Sequence, residues 1–324
     1  MDPVHLVQLC EEFGLGETIA IREDNTGALN KNYFLTTSTG EYFIKSVRKK
    51  QQSRIPYIAA AEKFFASDVI PALCMQANAS GEVSLEIGNS VYTVYPYKPN
   101  AVIHTYTQEH VRAMGILLGH IHLRGASEVP DLLLLNKLEI PKPDNIIREL
   151  TERRAHIMRK DSQDAADEQF LDYIALKLDK VAASPEAPQL ANDTLTHGDY
   201  HDRNILFQGE SIVGVCDWEK VILAPRSYEV ARAIEIICFG TGSAMTRSED
   251  EMQKMGSEFL TAYNSVYPIE KEELKCGLSL RLYKLIHSVW IERQHYDLQD
   301  LRSDKFIPQE MRLIETNGLL DRIE

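Results

Sequence analysis

The spacing of apolar residues divides the chain in two. Up to Tyr95 they alternate with polar residues or gather in runs of strand length, and after Thr107 they recur with helical spacing. One early segment departs from this. Pro3 to Phe13 sets Leu6, Val7, Cys10 and Phe13 on a single helical face, closed by Gly14. Strands are then expected over Thr18 to Arg22, Asn32 to Thr37 and Glu41 to Val47, with Ser38-Thr39-Gly40 as the tight turn between the last two. A helix follows over Ile55 to Ser67 and is ended by Val69-Ile70-Pro71. Ala72 to Ala77, Glu82 to Ile87 and Ser90 to Tyr95 read as further strands. The expectation is a mainly antiparallel sheet of about five or six strands with one packed helix.

Pro96 and Pro99 interrupt regular structure in VYTVYPYKPN, which marks the hinge between two units, residues 1–96 and 97–324. A chain of 324 residues is long enough for two moderate cores. In the second unit Val111, Met114, Leu117, Leu118 and Ile121 share a face, and Pro141 to Met158 and Asp164 to Ala183 are two more helices. His120 and His122 on the first of these read as packing or capping residues. Three further helices are expected over Ser248 to Val266, Ile269 to Gln294 and Pro308 to Leu320. The fold class is therefore α+β, with the sheet first and the helices after it.

Between the helical groups lies Thr194 to Glu219, TLTHGDYHDRNILFQGESIVGVCDWE. A short extended run feeds a polar loop, HGDYHDRN, and two β-rich runs joined by QGES form a hairpin. Asp199 and Asn204 fall on the loop, and Asp217 at the end of the returning strand. Two carboxylates and an amide on adjacent loop ends are hard oxygen donors, better suited to magnesium than to zinc. An alternative set is also present: His197 and His201, with Asp199 or Asp202, could hold a transition metal in a hydrolase. Elsewhere, Lys45 emerges from the apolar run YFIKSV and calls for an anionic partner, because an unpaired buried ammonium is costly.

The order HGDYHDRN, hairpin, DWE resembles the aminoglycoside phosphotransferase and choline kinase superfamily, small-molecule kinases of bilobal protein-kinase-like fold. That resemblance implies ATP, with GTP as the alternative donor, and magnesium as cofactors, and a small-molecule hydroxyl as acceptor. It implies Asp199 as the base for that hydroxyl, His197 as a structural member of the loop, and Asn204 and Asp217 as magnesium ligands. Lys45 would contact the α- and β-phosphates, and Glu62, in IAAAEKFF, would hold it there. Arg203 would steady the transferred group. The loop around Gly27 in GALNKNYFL, which also resembles that of homoserine kinases, would cover the phosphates. The alternative is that Gly27 only allows a positive φ in a hairpin turn. The hinge backbone at Tyr95 and Tyr97 offers a donor and an acceptor to a purine ring. The segment APRSYEVARAIEIICFG resembles the family's G-P-x-x-x-D-L-A, with Ala224 for Gly and Glu229 for Asp, an acid able to bond backbone amides or His197.

Composition narrows the partners. The net charge of −13, from 48 acids against 35 bases, argues against nonspecific nucleic-acid binding and is compatible with a cationic substrate. Trp290, Glu292, Tyr296, Asp297 and Asp300 would suit an amine, or form an ordinary core tryptophan beside a solvated acidic face. Amino sugars are the first acceptor expectation, with homoserine and choline or other amino alcohols as alternatives. A catalytically inactive nucleotide-binding protein of the same shape is an alternative of another class. Cys10, Cys74, Cys216, Cys238 and Cys276 are widely spaced and odd in number, so no disulfide framework or zinc ribbon is expected. No apolar stretch approaches the roughly 20 residues of a membrane span, and the first residues do not read as a signal peptide. The expected location is cytoplasmic, and no pattern bears on oligomeric state.

Overall fold

The computed structural model describes residues 1–24, 31–97, 106–184, 186–240 and 247–319. Helix α1 (Pro3–Phe13) starts where the Asp2 carboxylate accepts the Val4 amide and stops at Gly14, whose φ of 63° only glycine adopts freely. Strands β1 (Thr18–Asp24), β2 (Lys31–Thr37), β3 (Glu41–Arg48), β4 (Leu85–Ile87) and β5 (Ser90–Pro96) build one antiparallel sheet in the order β1-β2-β3-β5-β4. Its inner face, with Tyr33, Leu35, Ile44, Tyr92 and Val94, packs on Leu9, Cys10 and Phe13 of α1. The helix expected to support the sheet, α2 (Ile55–Phe65), instead places its large side chains in the core of the helical region. There Phe65 stacks on Trp218 with ring centroids 4.7 Å apart.

The strand expected over Ala72 to Ala77 does not form. Its backbone bonds are split, Leu73 N to Val215 O and Gln76 N to Val94 O, so no continuous ladder can build. Ala72 makes only an isolated parallel bridge to Val215. The segment nonetheless straps the sheet to the hairpin that carries Asp217.

The helical region holds α3 (Gln108–Gly125), α4 (Pro143–Met158), α5 (Ala165–Ala183), α6 (Arg226–Phe239), α7 (Glu249–Asn264), α8 (Lys271–Ile286), α9 (Trp290–Leu298) and α10 (Ile307–Glu315). The expected single helix over Ile269 to Gln294 is therefore two. His287 N closes on Tyr283 O, its ring bonds the same carbonyl, and the chain turns before Trp290. One core surrounds α3, α6 and α7, and a second joins α4 and α5 to α8, α9 and α10. Two small ribbons are inserted between the helices. β6 (Thr194–Thr196) pairs with β9 (Ile222–Ala224), and β7 (Ile205–Gln208) with β8 (Ser211–Val215). The five cysteines are free, and no helix among the described residues is long and apolar enough to cross a membrane.

Candidate active site

The polar loop between β6 and β7 is fixed at every turn. His197 is fully buried; its Nδ1 lies 3.2 Å from the Asp199 amide and its Nε2 3.0 Å from Cys216 O. Burial lowers the imidazole pKa, so the neutral ring accepts at Nδ1 and donates at Nε2, one tautomer serving both bonds. Gly198 has a φ of +78°, and a Cβ there would sit 1.8 Å from Lys220 O. Only glycine fits this crossing of loop and returning segment. The Glu229 carboxylate of α6 accepts the His197 and Gly198 amides and lies 2.9 Å from His122 Nε2. The longer acid at this position thus reaches the same kind of backbone donors that the sequence comparison expects of an aspartate.

Asn204 Nδ2 donates to Asp199 O at 2.9 Å, and Cys216 N donates to Asn204 O at 2.9 Å. These bonds tie Asp199 to Asn204, and Asn204 across the hairpin to the residue before Asp217. Asp217 follows with a φ of 65°, unusual for a residue with a side chain. This turn sends the Asp217 carboxylate to Lys45 on β3, at 2.9 Å, and Glu219 reaches the same ammonium at 3.0 Å. Burial would lower the Lys45 pKa, but the two carboxylates outweigh it and raise it above the ordinary lysine value.

Glu62 is a correction. It makes no ion pair with Lys45; its oxygens accept the Tyr95 hydroxyl at 2.9 Å and the Met75 amide at 2.8 Å. The reason lies in the packing of α2, which turns this face toward β5 and the strap over 72–76, and leaves Asp217 and Glu219 as the carboxylates on Lys45. Burial pushes the Glu62 carboxyl up to about 7. The hinge also differs from expectation: the Tyr97 amide donates to Glu41 O at 2.9 Å, so that donor is taken, and the Tyr95 hydroxyl is committed to Glu62. Gly27 lies outside the described residues.

The sequence reading did not anticipate the cations around Asp199. Arg232 Nη2 donates to one carboxylate oxygen at 2.6 Å and Lys220 Nζ to the other at 2.8 Å. Burial alone would raise this carboxyl, but Arg232 and Lys220 hold it well below the usual range, so it is ionised throughout the physiological range. A signal for Arg232 existed: it stands three residues after Glu229 on α6, on the face already turned to the loop. Arg203 is exposed, with its backbone amide held by His201 Nδ1 at 3.2 Å. Asp199 and Arg203 line a cleft of about 440 Å³ whose far wall is built by α8 and by Trp290, Phe306 and Glu310.

The donor set suits a hard cation. Asp217 offers a carboxylate, and Asn204, whose Nδ2 is occupied by Asp199 O, leaves its amide oxygen available. Neither histidine of the loop is free to ligate through a pair of imidazoles: His197 has both ring nitrogens bonded, and His201 Nδ1 accepts the Arg203 amide. Among the described residues no cluster of three or more His, Cys, Asp and Glu has metal-binding spacing.

The comparisons with known proteins agree on one family. The model of the phosphotransferase enzyme family (APH) matches residues 20–262. A homoserine kinase of Methylobacillus glycogenes is 24% identical over 271 residues, 82% of this chain and 77% of that protein. One from Afipia carboxidovorans is 23% identical over 269 residues, 83% and 77%. The fold is that of a spectinomycin phosphotransferase solved with ADP and spectinomycin, at TM-score 0.69, 18% identity and coverage of 99% of this chain and 97% of that one. It is similar also to an amicoumacin kinase solved with AMP-PNP and Ca²⁺, at TM-score 0.68, 13% identity and coverage of 100% and 96%. These neighbours have the bilobal protein-kinase-like fold. The chain belongs to the phosphotransferase enzyme family (APH), small-molecule kinases that phosphorylate a hydroxyl acceptor.

Proposed function

We propose that the protein transfers the γ-phosphoryl group of ATP to a hydroxyl of a small polar molecule seated in the cleft beside Asp199. The observation that carries this reading is an arrangement of charge. The ionised Asp199 carboxylate opens on a 440 Å³ cleft, while the Lys45–Asp217 pair, outside that cleft, joins β3 to the hairpin at 2.9 Å. In the reaction the acceptor oxygen bonds to the γ-phosphorus, the bond from that phosphorus to the β–γ bridging oxygen breaks, and the acceptor proton passes to Asp199. Lys45 turns from its two carboxylates to the α- and β-phosphates, and Arg203 faces the transferred group from the loop. Asp217 and the Asn204 amide oxygen would hold magnesium, which neutralises phosphate charge when bound. The backbone near Tyr95 receives the purine. His197 holds the loop, and Glu62 shapes the Lys45 surroundings through Tyr95 rather than by direct contact. The lobes divide at residue 96, and the enzyme acts in the cytoplasm.

For the acceptor, amino sugars, hydroxy amino acids and amino alcohols each have support. The fold neighbour that binds spectinomycin favours the first, and the homoserine kinases favour the second. The test is ATP and GTP consumption against all three classes, with Asp199→Asn as control. Acceptor-dependent turnover abolished by that variant is expected. Magnesium-dependent ATP binding with no turnover on any acceptor would favour an inactive kinase-like protein instead.

A further inference from the structure

The charge of the cleft runs against that of the chain. Against a net charge of −13 overall, its lining carries more lysine and arginine than aspartate and glutamate. Three of these cations have carboxylate partners: Arg232 and Lys220 share Asp199, and Arg281 forks onto Glu235 at 2.6 and 3.1 Å. Lys284, one turn along α8 from Arg281, has none within ion-pair distance among the described residues. Its ammonium donates to a backbone carbonyl, Glu139 O, at 2.6 Å and stands 5.9 Å from the centre of the Tyr228 ring. A half-buried ammonium whose direct contacts are a carbonyl dipole and a π-face retains donors for an anion. Burial and the neighbouring Arg281 lower its pKa, against a smaller opposing pull from the Glu139 carboxylate, which stands beyond ion-pair distance. Arg203, at the loop, likewise has no carboxylate partner among the described residues, but it stands beside Asp199, where the phosphoryl group passes. Lys284 stands on the helical wall of the cleft.

We propose that Lys284 anchors a carboxylate of the acceptor, so that the enzyme phosphorylates a hydroxy acid or hydroxy amino acid and discriminates against polycationic amino sugars. This rests on the reading that the cleft beside Asp199 receives the acceptor. A charge-assisted bond in a partly desolvated cleft, to an ammonium in no direct ion pair with the protein, favours an acceptor that brings a carboxylate. A polycation would instead meet Lys284 on the helical wall and Arg203 at the loop.

The test compares matched acceptors: L-homoserine, γ-hydroxybutyrate, propanolamine and glucosamine, with kcat/KM measured for each. The two carboxylate-bearing compounds should exceed propanolamine by about tenfold or more. Lys284→Met should collapse that ratio through KM, and Lys284→Arg should restore most of it. Because Lys284 also holds Glu139 O, melting curves of both variants accompany the kinetics, and Lys284→Arg keeps the charge if Lys284→Met proves unstable. A preference for propanolamine or glucosamine in the parent enzyme overturns the anchor and leaves the kinase reading intact. An unchanged acid-to-amine ratio in a folded Lys284→Met protein does the same. No transfer to any of the four overturns the anchor, and the wider acceptor screen above then decides the kinase reading.

Discussion

Replacing Asp199 with asparagine preserves shape and removes one charge, which separates its chemical from its structural contribution. The chemical part is the loss of a general base, worth about two to four orders of magnitude in turnover. The structural part follows from its two partners. The Lys220 side chain is 64% exposed, so its pair with Asp199 adds less than about 1 kcal/mol. The Arg232 side chain is 19% exposed and Asp199 11%, and a charge-assisted bond of that kind is worth about 1.5–3 kcal/mol. The asparagine variant should therefore melt lower by roughly 5 °C while remaining folded. A folded-state pKa below the unfolded value stabilises above the unfolded pKa, and that gain is lost as pH falls through the folded one. The melting difference between parent and variant should hold constant from about pH 5 upward and shrink below about pH 4. Turnover is read by coupled ATP consumption with an active acceptor, and nucleotide affinity by fluorescence titration. A folded Asp199→Asn enzyme that turns over within about tenfold of the parent would refute the assignment of the base.

Other outcomes follow from the same geometry. Glu229→Ala leaves the His197 and Gly198 amides without their acceptor and should cost about 3–5 kcal/mol in urea unfolding; a loss below about 1 kcal/mol would contradict the clamp. Gly198→Ala must move its Cβ away from Lys220 O and should abolish turnover with little change in helical circular dichroism. Glu62 keeps its proton to higher pH in the folded state than in the unfolded chain, so its contribution falls as pH rises between about 4.5 and 7. Glu62→Gln should flatten the melting temperature across that window, and an identical slope in parent and variant would count against the buried acid.

Local features were legible in the sequence and partnerships across the chain were not. The loop, the hairpin and the spacing of Asp199, Asn204 and Asp217 lie within a span of 19 residues, where turn chemistry and strand alternation suffice. Lys45 could be read from its apolar flanks, and Glu229 from its place after the hairpin. Glu62 was misread because helical position says which face a side chain occupies, not which of several acids arrives first at a distant lysine. The strap over Ala72 to Ala77 has strand composition but divides its hydrogen bonds between two partners, which propensity cannot register. The break in the helix expected over Ile269 to Gln294 has no glycine or proline to announce it. Lys220 was invisible because a lysine on a turn ordinarily faces water, and Arg232 could be placed on the loop-facing side of α6 by its spacing from Glu229 but not matched to its carboxylate.

Glu229 and Arg232 sit a single turn apart on α6, one gripping the backbone of the polar loop and the other its carboxylate. Base and counter-ion therefore ride on the same rigid rod. A change of side chain on α8 or α9 can reshape what enters the cleft without altering the distance between them, so the acceptor wall is free to diversify while the proton-accepting end stays in register.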